Sequence, residues 1–168
     1  MKQIWAPWRI EYIKQSQKAK LKTGRKGCFL CLNSSKSDGK NLILLRGKYA
    51  FVIMNRFPYN PGHLMIAPYR HIRTIEQCRA EEAGELFQLL KHCISALKMV
   101  MKPEGFNIGA NIGNVAGAGV PGHLHIHIIP RWLGDTNFMP IIGEIKIINE
   151  ELHKMYRKVK KELISTRK

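Results

Sequence analysis

From His123 to Ile128 the chain alternates imidazole and aliphatic side chains without a break, and it then runs into Ile129 and Pro130. Successive residues of a β-strand point to opposite faces. An extended chain here puts His123, His125 and His127 on one face and Leu124, Ile126 and Ile128 on the other. The aliphatic face belongs in a core. The imidazole face must look into a pocket or at a metal ion, because buried polar rings need partners. Packing alone does not account for three of the chain's seven histidines falling on one edge of one strand.

The rest of the chain supplies a frame for that strand. Leu42–Arg46 and Tyr49–Asn55 read as strands joined by a turn at Gly47 and Lys48. Pro58, Pro61 and Gly62 make a rigid turn before a third strand, His63–Ala67. Ala83, Leu86, Leu90, Cys93, Leu97 and Met101 recur at helical spacing, which predicts a helix from about Arg79 to Met101 that Pro103 and Gly105 end. Phe106–Asn111 reads as a fourth strand. The segment from Gly113 to Gly122 has four glycines in ten residues and must be a sharply turned loop. A charged helix is expected from about Asn149 to Ile164. Strands, one long helix, then strands with connections too short for crossovers predict an α+β fold with an antiparallel five-stranded sheet.

At 168 residues and 45% apolar composition the chain suits one domain with a full core. No apolar run reaches membrane-spanning length, and MKQIWAPWRI lacks the apolar centre of a secretion signal. A soluble cytoplasmic protein without a membrane partner is expected. Cys78 and Cys93 read as buried thiols of the helical stretch.

The net charge of +16 is uneven. Residues 1–48 hold 12 Lys/Arg against 2 acids, residues 49–143 hold 8 against 6, and residues 144–168 hold 8 against 4. The excess sits on the two ends, away from the histidines. A basic surface steers polyanions, so nucleic acid stays open as a partner, although a solvated lysine-rich surface explains the same numbers. The N-terminal 27 residues read as a basic extension anchored by Trp5, Trp8 and Tyr12 and continuing into a loop.

Two chemistries suit the in-line imidazoles. They can hold a catalytic metal, although the next acid after His127 is as far on as Asp135. Alternatively, one ring nitrogen attacks a phosphoryl centre while its neighbours bind the other groups, with the glycine loop offering N–H groups to phosphate oxygens. Cys28-Phe-Leu-Cys31 has the spacing with which two thiolates clamp one ion, although a redox pair has the same spacing. With no second such pair, a tetrahedral site needs two further ligands from elsewhere.

The motif His123-Leu-His125-Ile-His127-Ile-Ile resembles the histidine triad of the HIT family of nucleotide hydrolases and transferases. Asn55-Arg-Phe-Pro-Tyr-Asn-Pro-Gly-His63 is similar to that family's second signature, and residues 28–135 follow the family's order. The ending Pro130-Arg-Trp132-Leu-Gly-Asp135, with the Trp-Ala-Pro-Trp-Arg start, resembles a branch acting on diadenosine tetraphosphate. The resemblance implies a single HIT domain: a family core at 28–135, the N-terminal extension, and a helical tail at 149–168.

It also implies roles. His125 is the expected nucleophile on the α-phosphorus. His127 binds the scissile phosphate and assists the leaving group, and His63 orients the pair. Asn55 contacts the ribose, while Asn111, Gly117 and Gly119 hold phosphates. Family members with the Cys pair bind a structural zinc, here implying Cys28, Cys31, His71 and His123. Magnesium would arrive with the polyphosphate, and a homodimer through the long helices and a sheet edge is expected. The expected reaction is cleavage of a dinucleoside polyphosphate through a nucleotidyl-histidine, with hydrolysis of nucleotides or nucleoside phosphoramidates by water as the alternative. A zinc-catalysed hydrolase and a non-enzymatic nucleic-acid module are the remaining rivals.

Overall fold

Runs rich in aliphatic residues form β1 (Ile43–Arg46), β2 (Ala50–Met54), β3 (Leu64–Pro68) and β5 (Ile126–Arg131), and the more polar Gly-Phe-Asn-Ile-Gly forms β4 (Gly105–Gly109). In the computed structural model, which describes residues 28–31, 37–135 and 151–166, they pair in the order β1-β2-β3-β5-β4, every pair antiparallel. The expected α+β fold with a five-stranded antiparallel sheet is what the chain forms. Strands β2 and β3 are buried along their whole length, as befits the centre of a sheet covered on both sides.

Among the described residues three α-helices complete the fold. A single turn, α1 (Asp38–Asn41), precedes β1. The long α2 (Ala80–Met101) starts where the Glu82 carboxylate accepts the Arg79 backbone N–H at 2.9 Å, and it ends on Lys102 in a left-handed conformation. Its stripe of Leu86, Leu89, Leu90, Cys93, Ala96 and Leu97 is buried and lies over β2, β3 and β5. Ala83, expected in that stripe, is exposed in the first turn. The last helix, α3 (Leu152–Ser165), buries Met155, Tyr156, Val159 and Leu163 against α2 and β1. Tyr156 Oη donates to the Ile43 carbonyl at 2.9 Å and fixes that helix to the sheet.

Three expectations need correction. The histidine stretch enters the ladder only at Ile126, because the preceding residues bond outside it: His123 N–H to the Val120 carbonyl, and Leu124 N–H to the Ile72 carbonyl. Strand β4 stops at Gly109 instead of Asn111, where the glycine-rich loop turns away. Cys78 is half-buried at the end of a 3-10 turn (Ile75–Gln77), outside the long helix, while Cys93 is fully buried within it. The segment with Trp5, Trp8 and Tyr12 lies outside the described residues. Among the described residues no helix is long and apolar enough to cross a membrane.

Candidate active site and metal centre

The sheet brings the two histidine-bearing segments together. In the β3–β5 register Met65 faces His127 and Leu64 faces Ile128, so His63, one residue before β3, arrives beside the triad. The turn before it is tight. Gly62 has φ +75°, where any side chain is strained, and a Cβ there would also push on the Met101 sulfur of α2 from 2.5 Å. His63, His123, His125 and His127 are all buried, and every buried side-chain N or O atom among the described residues has a hydrogen-bond partner.

Those partners fix the tautomers. The Nδ1 of His125 is 2.8 Å from the His123 carbonyl, which can only accept, so Nδ1 carries the proton and Nε2 keeps its lone pair. The other relay runs the opposite way. The Nδ1 of His63 accepts from the Tyr59 backbone N–H at 3.1 Å, and the Asn55 amide lies 3.2 Å away. The proton of neutral His63 is therefore on Nε2, which stands 2.8 Å from His127 Nδ1. His127 accepts there and carries its own proton on Nε2. The rings of His125 and His127 meet edge to face at 4.8 Å. Two neighbouring imidazoles thus hold opposite tautomers: one offers a free lone pair at Nε2, the other an N–H at Nε2.

Burial keeps both rings neutral. It lowers the His125 pKa, and it lowers that of His127 to about 4, with charge repulsion from His125 as a smaller cause. A neutral imidazole with a free nitrogen is the form that can act as a nucleophile.

The second constellation is Cys28, Cys31, His71 and His123, whose ligand atoms all lie within 4.8 Å of one another. The His123 Nε2–H donates to the Pro68 carbonyl at 2.8 Å, leaving Nδ1 free to face the thiols. That Nδ1 is 3.4 Å from Cys28 Sγ and 3.7 Å from Cys31 Sγ, and His71 Nδ1 is 3.1 Å from Cys31 Sγ. A tetrahedral ion with zinc–sulfur and zinc–nitrogen bonds of about 2.3 and 2.0 Å separates sulfur from nitrogen by about 3.5 Å. The residues therefore fit such an ion. Burial pushes the Cys28 thiol up to about 11, with repulsion from Cys31 adding to it, and a bound cation reverses that balance.

The remaining expected residues are placed less directly. Asn55 closes its own turn, its Oδ1 accepting the Phe57 N–H at 2.9 Å. Asn111 spans the glycine loop, donating to the Gly117 carbonyl, and Gly117 itself has φ +83°. Gly117 and Gly119 are exposed. The register, with Gly109 opposite His127, leads this loop past the histidine end of β5. Sequence reasoning did not single out Tyr59, which works through its backbone N–H, or Asn60. The only signal for either was its position inside the Pro-Gly-His turn.

Comparison with known proteins agrees with this geometry. Residues 36–132 match the family model for the HIT domain. The chain is 36% identical over 154 residues to a Mycobacterium tuberculosis protein named AP-4-A phosphorylase, covering 90% of this chain and 79% of that one. It is 32% identical over 91 residues, 54% of this chain and 44% of the other, to a bis(5'-adenosyl)-triphosphatase of Saccharomyces cerevisiae. In fold it is similar to a Zn-bound histidine triad family protein of Mycobacterium smegmatis, with TM-score 0.64 and 18% identity over 84% of this chain and 96% of that one.

Proposed function

The chain belongs to the HIT family, and from that premise we propose that it is an enzyme cleaving dinucleoside polyphosphates through a nucleotidyl group on His125. The observation that carries this reading is the pair of opposite tautomers on His125 and His127. The His125 lone pair attacks the α-phosphorus, so an N–P bond forms as the P–O bond to the leaving polyphosphate breaks. His127 donates its Nε2–H as a hydrogen bond to the departing oxygen. Because a polyphosphate is itself a stable anion, stabilisation by one N–H suffices without full proton transfer. In the second half, an oxygen of inorganic phosphate attacks the same phosphorus and the N–P bond breaks. Diadenosine tetraphosphate then yields ATP and ADP.

His63 orients His127 in this scheme. Asn55 is assigned to the ribose, and Asn111, Gly117 and Gly119 to the phosphates, where the exposed glycine loop offers backbone N–H groups. Cys28, Cys31, His71 and His123 hold a structural zinc, which occupies His123 and so keeps it out of the reaction. Among the described residues the one Cys/His/acid cluster suited to a metal is this set, so magnesium would enter only with the substrate. A thiolate site also suits a reducing compartment, the cytoplasm.

A homodimer fits the same fold. Strand β4 is a sheet edge with Ile108 45% exposed, and α2 exposes Phe87 and Met99. Sedimentation at a dimer's mass supports a second copy on this edge, and a monomer at high micromolar concentration overturns it.

Product analysis tests the reaction. With diadenosine tetraphosphate, ADP that rises with added phosphate supports phosphorolysis. AMP that is unchanged by phosphate points to water as the acceptor, the alternative favoured by the likeness to a triphosphatase. No nucleotide release overturns the reading.

A further inference from the structure

The turn from Arg131 to Asp135 lies outside the reacting centre, yet its contacts lead into it. The Asp135 carboxylate, its side chain 10% exposed, accepts four hydrogen bonds. Arg131 donates from Nε at 2.6 Å and from Nη2 at 2.8 Å, and the Trp132 N–H donates at 3.1 Å. The fourth crosses between loops: Asn60 Nδ2 donates to Asp135 Oδ2 at 2.7 Å and also to the Pro130 carbonyl at 3.1 Å. The amide of Asn60 is thereby fastened to the end of β5.

From Asn60 the connection continues toward the histidines. The Asn60 carbonyl accepts the His63 N–H at 3.2 Å, and the neighbouring Tyr59 N–H points at His63 Nδ1. Both donors to that nitrogen sit on this turn: the Asn55 amide, held facing His63 because its Oδ1 accepts the Phe57 N–H, and the Tyr59 peptide N–H. A peptide N–H can only donate. The turn is held at one side by the Tyr59 ring, stacked on His63 at 4.9 Å, and at the other by the polar clamp at Asn60, while Phe57 between them is 79% exposed.

We propose that Asp135 and Asn60 are positioning residues that hold the Tyr59 N–H against His63 and thereby keep His127 in the tautomer whose N–H faces the substrate. This rests on the reading of His127 as the donor to the leaving oxygen, and it extends that reading to a motif outside the triad. The Asn60→Ala substitution separates this role from a structural one. It leaves the Arg131–Asp135 ion pair and the Trp132 contact in place and removes only the link between the loops.

The test is nitrogen-15 NMR of histidine-labelled, metal-loaded full-length protein, read alongside steady-state kinetics on diadenosine tetraphosphate. The parent should show His63 and His127 each protonated at Nε2 alone. Asn60→Ala should show mixed tautomers at both rings, and kcat should fall about tenfold while KM stays within about twofold. Asp135→Asn should move both readouts in the same direction. Single, parent-like tautomers in a folded Asn60→Ala protein overturn the proposal. The NMR readout needs no substrate, so mixed tautomers in a protein that releases no nucleotide support this inference and contradict the proposed function instead.

Discussion

His63 Nε2 stands 2.8 Å from His127 Nδ1, and the direction of that bond is set from behind, by the Tyr59 N–H on the far nitrogen of His63. With the Asn55 amide facing the same nitrogen, that donor decides which face of His127 is a donor two rings away. The matching contact on His125, from Nδ1 to the His123 carbonyl, decides the opposite for its neighbour. The triad presents two differently wired imidazoles beside a third that belongs to the cluster of Cys28, Cys31 and His71.

The neutral state of His127 has a consequence for stability. Burial holds its pKa at about 4, whereas an unfolded histidine titrates near 6.5. Between those values the unfolded chain binds more protons than the folded one, so stability rises with pH in that window and falls as pH drops from about 6.5 toward 4. Urea unfolding at pH 5 and pH 7.5 should show the parent weaker at pH 5. The gap should narrow in His127→Asn, and an equal gap in both would contradict the assignment.

A metal at Cys28, Cys31, His71 and His123 should behave as part of the fold. One zinc per chain is expected by elemental analysis. Cys31→Ser should lower that occupancy several-fold and the Tm by about 5 °C or more. Replacing zinc with cadmium should leave turnover within a few-fold. Loss of turnover on that exchange would instead favour the metal as catalyst.

Glu82 joins the start of α2 to the segment that carries His71. Almost fully buried, it accepts from Arg70 Nε and Nη2 at 2.6 Å each and from the Arg79 N–H. Arg70 beside it holds its carboxyl at about 2. Glu82→Ala should destabilise the fold by about 1–2 kcal/mol, since it leaves the helix-start N–H of Arg79 without its acceptor and releases Arg70, whose side chain is 37% exposed, to solvent. The parent should lose this contribution as pH falls from about 4.5 toward 2, because the unfolded carboxylate takes its proton first. Calorimetric scans of both proteins across that range would reveal a cost that does not shrink in acid, the contrary result.

Much of the fold was legible because it rests on local pattern. The turn-bounded apolar runs of β1, β2 and β3 and the helical spacing from Leu86 to Leu97 each read directly as elements. The Cys28–Cys31 spacing announced a metal clamp, but His71 and His123 came only from a family resemblance, since residues 40 and more apart in sequence are joined by the sheet. The start of the β5 ladder at Ile126 was not legible, because it is set by where Val120 and Ile72 offer carbonyls. The link from Asp135 to Asn60 was equally hidden. It spans 75 positions and depends on two turns meeting at one end of the sheet.

The central claim is that His125 takes up the nucleotidyl group. Intact-mass measurement after rapid acid quench of the parent with diadenosine tetraphosphate should show a fraction of the protein heavier by one adenylyl group, and His125→Ala should show none and lose turnover by several orders of magnitude. Turnover without an adduct in the parent, retained in His125→Ala, would contradict the account.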